Sequence, residues 1–187
     1  MHALAPPVPP LSDGTIALRG FESTDVPAIV AACQDPEIPR WTLVPSPYGA
    51  QDAHDYVRRM PSARAAGRAL SLAIVDAADH DRLLGSIALN PVVWEQRAAD
   101  VGYWVAAHAR GRGVATRAVR MLADWAFRML RLERLELRTQ RDNHASQAIA
   151  AHAGFEPVAS PVVRRPECEQ LPDEHLPDVF FARVRGE

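Results

Sequence analysis

The chain has 187 residues, enough for one domain with a real core, and its 48% apolar and 24% charged content is that of an ordinary globular protein. All 21 of its Lys+Arg residues are arginine, which excludes a Walker A phosphate loop, the strand lysine of a protein kinase and a pyridoxal Schiff base. Net charge is −2, so no nucleic-acid partner is expected, yet residues 110–141 hold nine Arg against Asp124, Glu133 and Glu136, a local excess suited to an anion.

The first ten residues carry four prolines and lack a basic, then apolar, leader pattern. They are read as part of a flexible proline-rich arm over 1–11, with one domain filling 12–187. The longest strongly apolar stretch, residues 69–75, is too short to span a bilayer, so no membrane partner is expected. Ile16 and Leu18 alternate with polar neighbours and predict a first strand over 15–19. Ser23-Thr24-Asp25 offers a cap before a helical stripe of Val26, Ile29, Val30 and Cys33, which Asp35-Pro36 stops. Residues 36–48, with four prolines, Trp41 and Tyr48, read as a loop that can line a cleft, as can Trp94.

A second helix follows over 50–59. Strands are predicted over 69–75 and Leu83–Val93 around a hairpin loop at 77–81, and over 100–106. Residues 113–131 form the strongest element, a helix with Val114, Ala118, Leu122, Trp125, Ala126 and Met129 on one face and arginines on the other. Leu135, Leu137 and Thr139 mark the next strand. Asn143 and Ser146 open a short helix that ends at Gly154, and 155–159 and Val179–Val184 are the last strands. The long stretch 160–177 between them is proline-rich and acidic, and is read as a further wall of the cleft. Cys33 and Cys168 form no C-x-x-C pair and read as structural thiols of a reducing cytoplasm, and no Cys/His cluster has metal-ligand spacing, so no metal is expected.

The informative segment is Val105-Ala106-Ala107-His108-Ala109-Arg110-Gly111-Arg112-Gly113-Val114-Ala115-Thr116, a strand feeding an Arg/Gly loop that feeds a long helix. The first N–H groups of a helix lack partners and sit at its positive end, and small residues let an anion approach them. With Arg110, Arg112 and Arg117 nearby, this is a diphosphate cradle. A dinucleotide is one candidate ligand, since 111–116 imitates G-x-G-x-x-G without the third glycine, and coenzyme A is the other.

Here the sequence resembles the GNAT acetyltransferase superfamily. Arg110-x-x-Gly113-x-Ala115 looks like its pyrophosphate loop. Val101-Gly102-Tyr103-Trp104-Val105, Ala115-Thr116-Arg117-Ala118, Asn143-His144-Ala145-Ser146 and Gly154-Phe155 resemble its RimJ/RimL-type branch of ribosomal-protein N-terminal acetyltransferases, as do Leu18-Arg19 and Asp35-Pro36-Glu37-Ile38. The resemblance implies an α/β fold of the α+β kind, a mixed, mostly antiparallel sheet of about seven strands flanked by helices.

It also implies transfer of acetyl from acetyl-CoA to a primary amine, a protein N-terminal α-amine or a small molecule, by direct attack in a ternary complex. Backbone amides of Arg110, Gly111, Arg112, Gly113, Val114, Ala115 and Thr116 would bind the pyrophosphate. Trp104 and Val105 would splay from the neighbouring strand and pair with pantetheine, with the Val105 N–H on the thioester carbonyl. Asn143 and Ser146 would bond the pantetheine arm or the leaving sulfur, and Asn143 doubles as a helix cap. Asp100, or its rival Glu95, would take the amine proton through water. Tyr103 reads as a core residue. Many members carry a tyrosine seven positions after the asparagine as acid for the thiolate; here that position is Ala150, so either Ser146 contributes a hydrogen bond or the thiolate leaves unassisted. Open alternatives are another acyl-CoA such as succinyl-CoA, which an arginine in the acceptor pocket would favour, and a CoA-binding regulatory module without turnover. A homodimer is common in the family.

Overall fold

The chain folds into a sheet of eight strands in the order β1-β2-β3-β4-β5-β6-β8-β7. The computed structural model describes residues 3–163 and 179–186. The strands are β1 (Leu11–Ser12), β2 (Ile16–Arg19), β3 (Leu70–Asp76), β4 (Leu83–Val93), β5 (Ala98–Val105), β6 (Arg134–Thr139), β7 (Glu156–Val158) and β8 (Val179–Val184). All neighbours are antiparallel except β5 and β6. The sheet is therefore mixed and mostly antiparallel, as expected, with β1 as the strand beyond the seven anticipated.

Helices cover both faces, so β2 is buried at all four positions rather than at every second one. The helices are α1 (Val26–Cys33), α2 (Glu37–Trp41), α3 (Ala50–Ala65), α4 (Val114–Met129) and α5 (His144–His152). Ile16, Leu18, Leu72, Leu135 and Leu137 pack with α4 and its Val119 and Leu122. Ala17, Ala73, Val75 and Trp104 face the other way and pack with Ile29, Ile38 and Ala53 of α1–α3.

Three expectations change. The proline-rich arm is laid against the domain: Leu4 is buried and its N–H donates to the Arg64 carbonyl at 2.9 Å, while Leu11–Ser12 pair with β2. Residues 36–48 are not all loop, because Pro36 caps α2 and Pro39 lies within its first turn, where a proline costs no helical hydrogen bond. The helix begun at Ala50 runs to Ala65 through Pro61, which is exposed; its apolar stripe ends at Met60. Most of 160–177 lies outside the described residues.

Candidate active site

β5 and β6 are hydrogen-bonded neighbours only over Ala98–Asp100 and Arg134–Glu136. Beyond that register β6 continues beside β8, and the rest of β5, from Val101, is paired with β4 alone. A cleft opens between the two strands.

Successive N–H groups of a strand point to opposite sides. The Ala106 N–H donates to the Leu84 carbonyl at 2.9 Å, so the Val105 N–H points away from β4 and into the cleft. The Val105 carbonyl on the same side accepts from Arg110 Nε at 3.0 Å. Gly85 lies opposite Val105, and a Cβ there would collide with the Trp104 carbonyl oxygen and lie 3.1 Å from Val105 Cα. The glycine lets β4 and β5 approach where the cleft begins.

Past Val105 the chain makes one 3₁₀ turn and enters α4 through Gly113, whose φ of 73° and ψ of 9° are left-handed; Gly111 has a φ of 71°. No side chain caps this helix start, leaving the first-turn N–H groups available. Arg110, Gly111, Gly113, Val114, Ala115 and Thr116 line one end of a cavity of about 850 Å³, as do Trp104 and Val105. The three arginines expected around this loop differ in role. Arg110 pairs with Asp35 at 2.7 Å and Arg117 with Asp13 at 2.8 Å, whereas exposed Arg112 makes no ion pair among the described residues. Burial works against the Asp13 carboxylate, but the Ile16 N–H and Arg117 outweigh it and hold Asp13 below its usual range.

Asn143 caps α5: its Oδ1 accepts from the Ser146 N–H at 3.0 Å. The Ser146 hydroxyl lies 2.9 Å from that of Tyr103. All three residues line the cavity, so Tyr103, read from sequence as core, is both core and wall. Burial pushes its phenol up to about 12.

The carboxylates expected as proton acceptors lie apart. Asp100 is 1% exposed on β5, with Arg138 Nε 2.6 Å from its Oδ2. Arg138 lines the cavity, and Asp100, which does not, is paired with it. Glu136, equally buried, lies 3.6 Å from Arg138, pairs with Arg134 at 2.7 Å, and accepts the N–H groups of Val162 and Val163 at 2.8 and 3.0 Å. Glu95 follows β4 in a short turn and lines a second cavity of about 550 Å³, which shares Tyr56 and Arg59 with the larger one. Trp94 donates to the Gly67 carbonyl at 2.8 Å and is not among the residues lining the larger cavity.

At the far end of the large cavity stand Trp41, Val44, Tyr48, Asp52 and Tyr56, so residues 36–48 do form a wall. Glu37 accepts from Trp41 Nε1 at 3.0 Å, and this bond together with Arg40 holds its carboxyl below the usual range. The Tyr56 and Ser86 hydroxyls lie 3.2 Å apart, and burial raises the phenol of Tyr56 as it does that of Tyr48. Arg138 and Tyr56 were not read as site residues in the sequence: one sits on the polar side of an alternating strand, and the other belongs to the apolar stripe of its helix with Ala53, Val57 and Met60. Among the described residues no group of three or more His, Cys, Asp or Glu could hold a metal, and no helix is long and apolar enough to cross a membrane.

β5 and β6 thus part beside a glycine-flanked helix start, and the chain is similar to known proteins. Residues 15–156 match the family model described as an acetyltransferase (GNAT) domain. The uncharacterized N-acetyltransferase p20 of Bacillus licheniformis is 24% identical over 141 residues, 75% of this chain and 79% of that protein. The alpha-N-protein acetyltransferase RimL, solved with coenzyme A, superposes with a TM-score of 0.77 at 20% identity over 94% of this chain and 96% of its own. A spermidine N-acetyltransferase from Vibrio cholerae, solved with CoA and spermine, gives 0.72 at 17% identity over 92% and 96%. The chain belongs to the GNAT acetyltransferase family.

Proposed function

We propose that this protein transfers acetyl from acetyl-CoA directly to a primary amine, with a protein N-terminal α-amine as the favoured acceptor. The observation that carries this reading is the cleft between β5 and β6, with the Val105 N–H aimed into it and the start of α4 at its end. CoA lies along the cleft, its pyrophosphate on the amides of residues 111–116, since the Arg110 N–H already donates to the Ala107 carbonyl, and its thioester carbonyl on the Val105 N–H. That donor stabilises the oxyanion formed when the amine nitrogen attacks. Asn143 and Ser146 flank the sulfur.

Asp100, paired with Arg138 at 2.6 Å, is the proposed acceptor of the amine proton, reached through water. An α-amine, whose pKa near 8 leaves a useful neutral fraction at pH 7, asks less of a base than an alkylamine near 10.4. Arg138 does not argue for succinyl-CoA, because its charge is already engaged by Asp100 and Glu136. A free, buried Cys33 suits a reducing cytoplasm.

The test is thiol release from acetyl-CoA with three acceptors: a peptide with a free α-amine, the same peptide N-blocked but carrying a lysine, and spermidine. Release should be acceptor-dependent and fastest with the free α-amine. Faster release with spermidine would move the acceptor class to small amines. Tight CoA binding with no release for any amine would make the protein a binding module.

A further inference from the structure

Ala150 of α5 is fully buried and brings no hydroxyl to the cleft, so any donor for the departing sulfur comes from elsewhere. Tyr103 stands two residues before Val105 on β5. Strand alternation therefore puts both side chains on the face that carries α4 and α5. Its ring packs against the core there, while its hydroxyl reaches Ser146 Oγ at 2.9 Å across a sequence separation of 43. The Ser146 backbone is itself fixed by the Asn143 cap.

We propose that Tyr103 is a positioning residue for thiolate departure: its hydroxyl donates to Ser146 Oγ, which leaves the Ser146 O–H as the donor to the thioester sulfur. This rests on the acetyl-transfer reading above. A phenol is a stronger acid than an aliphatic alcohol, which sets the direction of the bond. Burial lifts the phenol further, so it stays an O–H donor throughout the neutral range.

In the step, the amine nitrogen forms its bond to the carbonyl carbon and the carbonyl electron pair moves to oxygen. On collapse that pair returns, the C–S bond breaks and its electrons stay on sulfur. The surplus amine proton leaves through water to Asp100. The thiolate departs hydrogen-bonded to Ser146 and takes its proton from solvent on release. Tyr103 loses no proton at any stage.

The experiment compares wild type, Tyr103→Phe, Ser146→Ala and the double variant by kcat, by KM for acetyl-CoA and by thermal unfolding. Tyr103→Phe keeps the ring and its packing. Its kcat should fall about tenfold, the scale of one lost hydrogen bond, with KM for acetyl-CoA within about threefold. Ser146→Ala should lower kcat at least as much, and the double variant should be no slower than Ser146→Ala alone. A wild-type kcat in Tyr103→Phe would overturn the proposal, as would a further tenfold loss when it is added to Ser146→Ala. A wild type that releases no thiol with any amine would overturn the acetyl-transfer reading and this inference with it, whereas a catalytically normal Tyr103→Phe overturns this inference alone.

Discussion

Replacing Gly113 by alanine separates the geometry of the CoA loop from its space. Gly113 has a φ of 73° and a ψ of 9°, and no atom lies within 4 Å of the Cβ that alanine would add. Only backbone conformation is at stake. An L-residue in this region costs about 1–2 kcal/mol, and the loss of unfolded-chain freedom returns about 0.4–1 kcal/mol. At the middle of these ranges the net is a destabilisation of about 0.8 kcal/mol, or a melting temperature lower by about 2–3 °C, from the scaling for chains of 150–250 residues. Gly14 at the β1–β2 turn has a φ of 84° and equally open surroundings, so Gly14→Ala carries the same stability cost away from the cavity. Calorimetric titration with CoA then discriminates. Gly113→Ala should weaken CoA about fivefold or more, because relaxing the loop re-aims the first N–H groups of α4, and Gly14→Ala should leave affinity within about twofold. Equal CoA affinity in the two variants would refute the reasoning that this loop holds the diphosphate.

Three further outcomes follow from the same geometry. Arg112→Ala should raise KM for acetyl-CoA about three- to tenfold and leave that for the acceptor within about twofold, since Arg112 makes no ion pair among the described residues; an unchanged CoA affinity would leave it a solvated surface charge. Burial pushes the Cys33 thiol up to about 11, so at pH 8 about one part in a thousand is thiolate. Native Cys33 should therefore resist iodoacetamide and react only as pH approaches that value or the chain unfolds, with peptide mapping as the readout; fast native labelling at pH 8 would contradict the burial. Because the chain has no lysine, incubation with acetyl-CoA should add at most one acetyl, on the N-terminal amine, in intact mass.

Much of the sheet was legible because its strands alternate. β6 and β8 fall where Leu135–Leu137 and the Val179–Val184 run place them, and the helix read over 113–131 is α4, although its buried stripe ends at Phe127 and Met129, read on the apolar face, is 68% exposed. The CoA loop was legible for a local reason: strand, glycines and helix start are contiguous. What escaped depends on contacts between distant segments. The two-residue β1 has no period to detect and exists only because β2 pairs with it. The strength of the Asp100 reading shifted because Arg138 reaches it from another strand, through a parallel register no local pattern specifies. The Tyr103 hydroxyl finds Ser146 in the same way, after a crossover through α4. The cleft itself is an absence of pairing beyond Asp100 and Glu136, which alternation in either strand does not record.

The most direct test of the central claim is a crystal structure of the protein with coenzyme A. The pyrophosphate oxygens should lie within hydrogen-bond distance of the amides of residues 111–116, pantetheine should run along the opened side of β5, and the sulfur should stand beside the Val105 N–H and Ser146. Coenzyme A bound outside the β5–β6 cleft, or with its pyrophosphate away from the start of α4, would contradict the account.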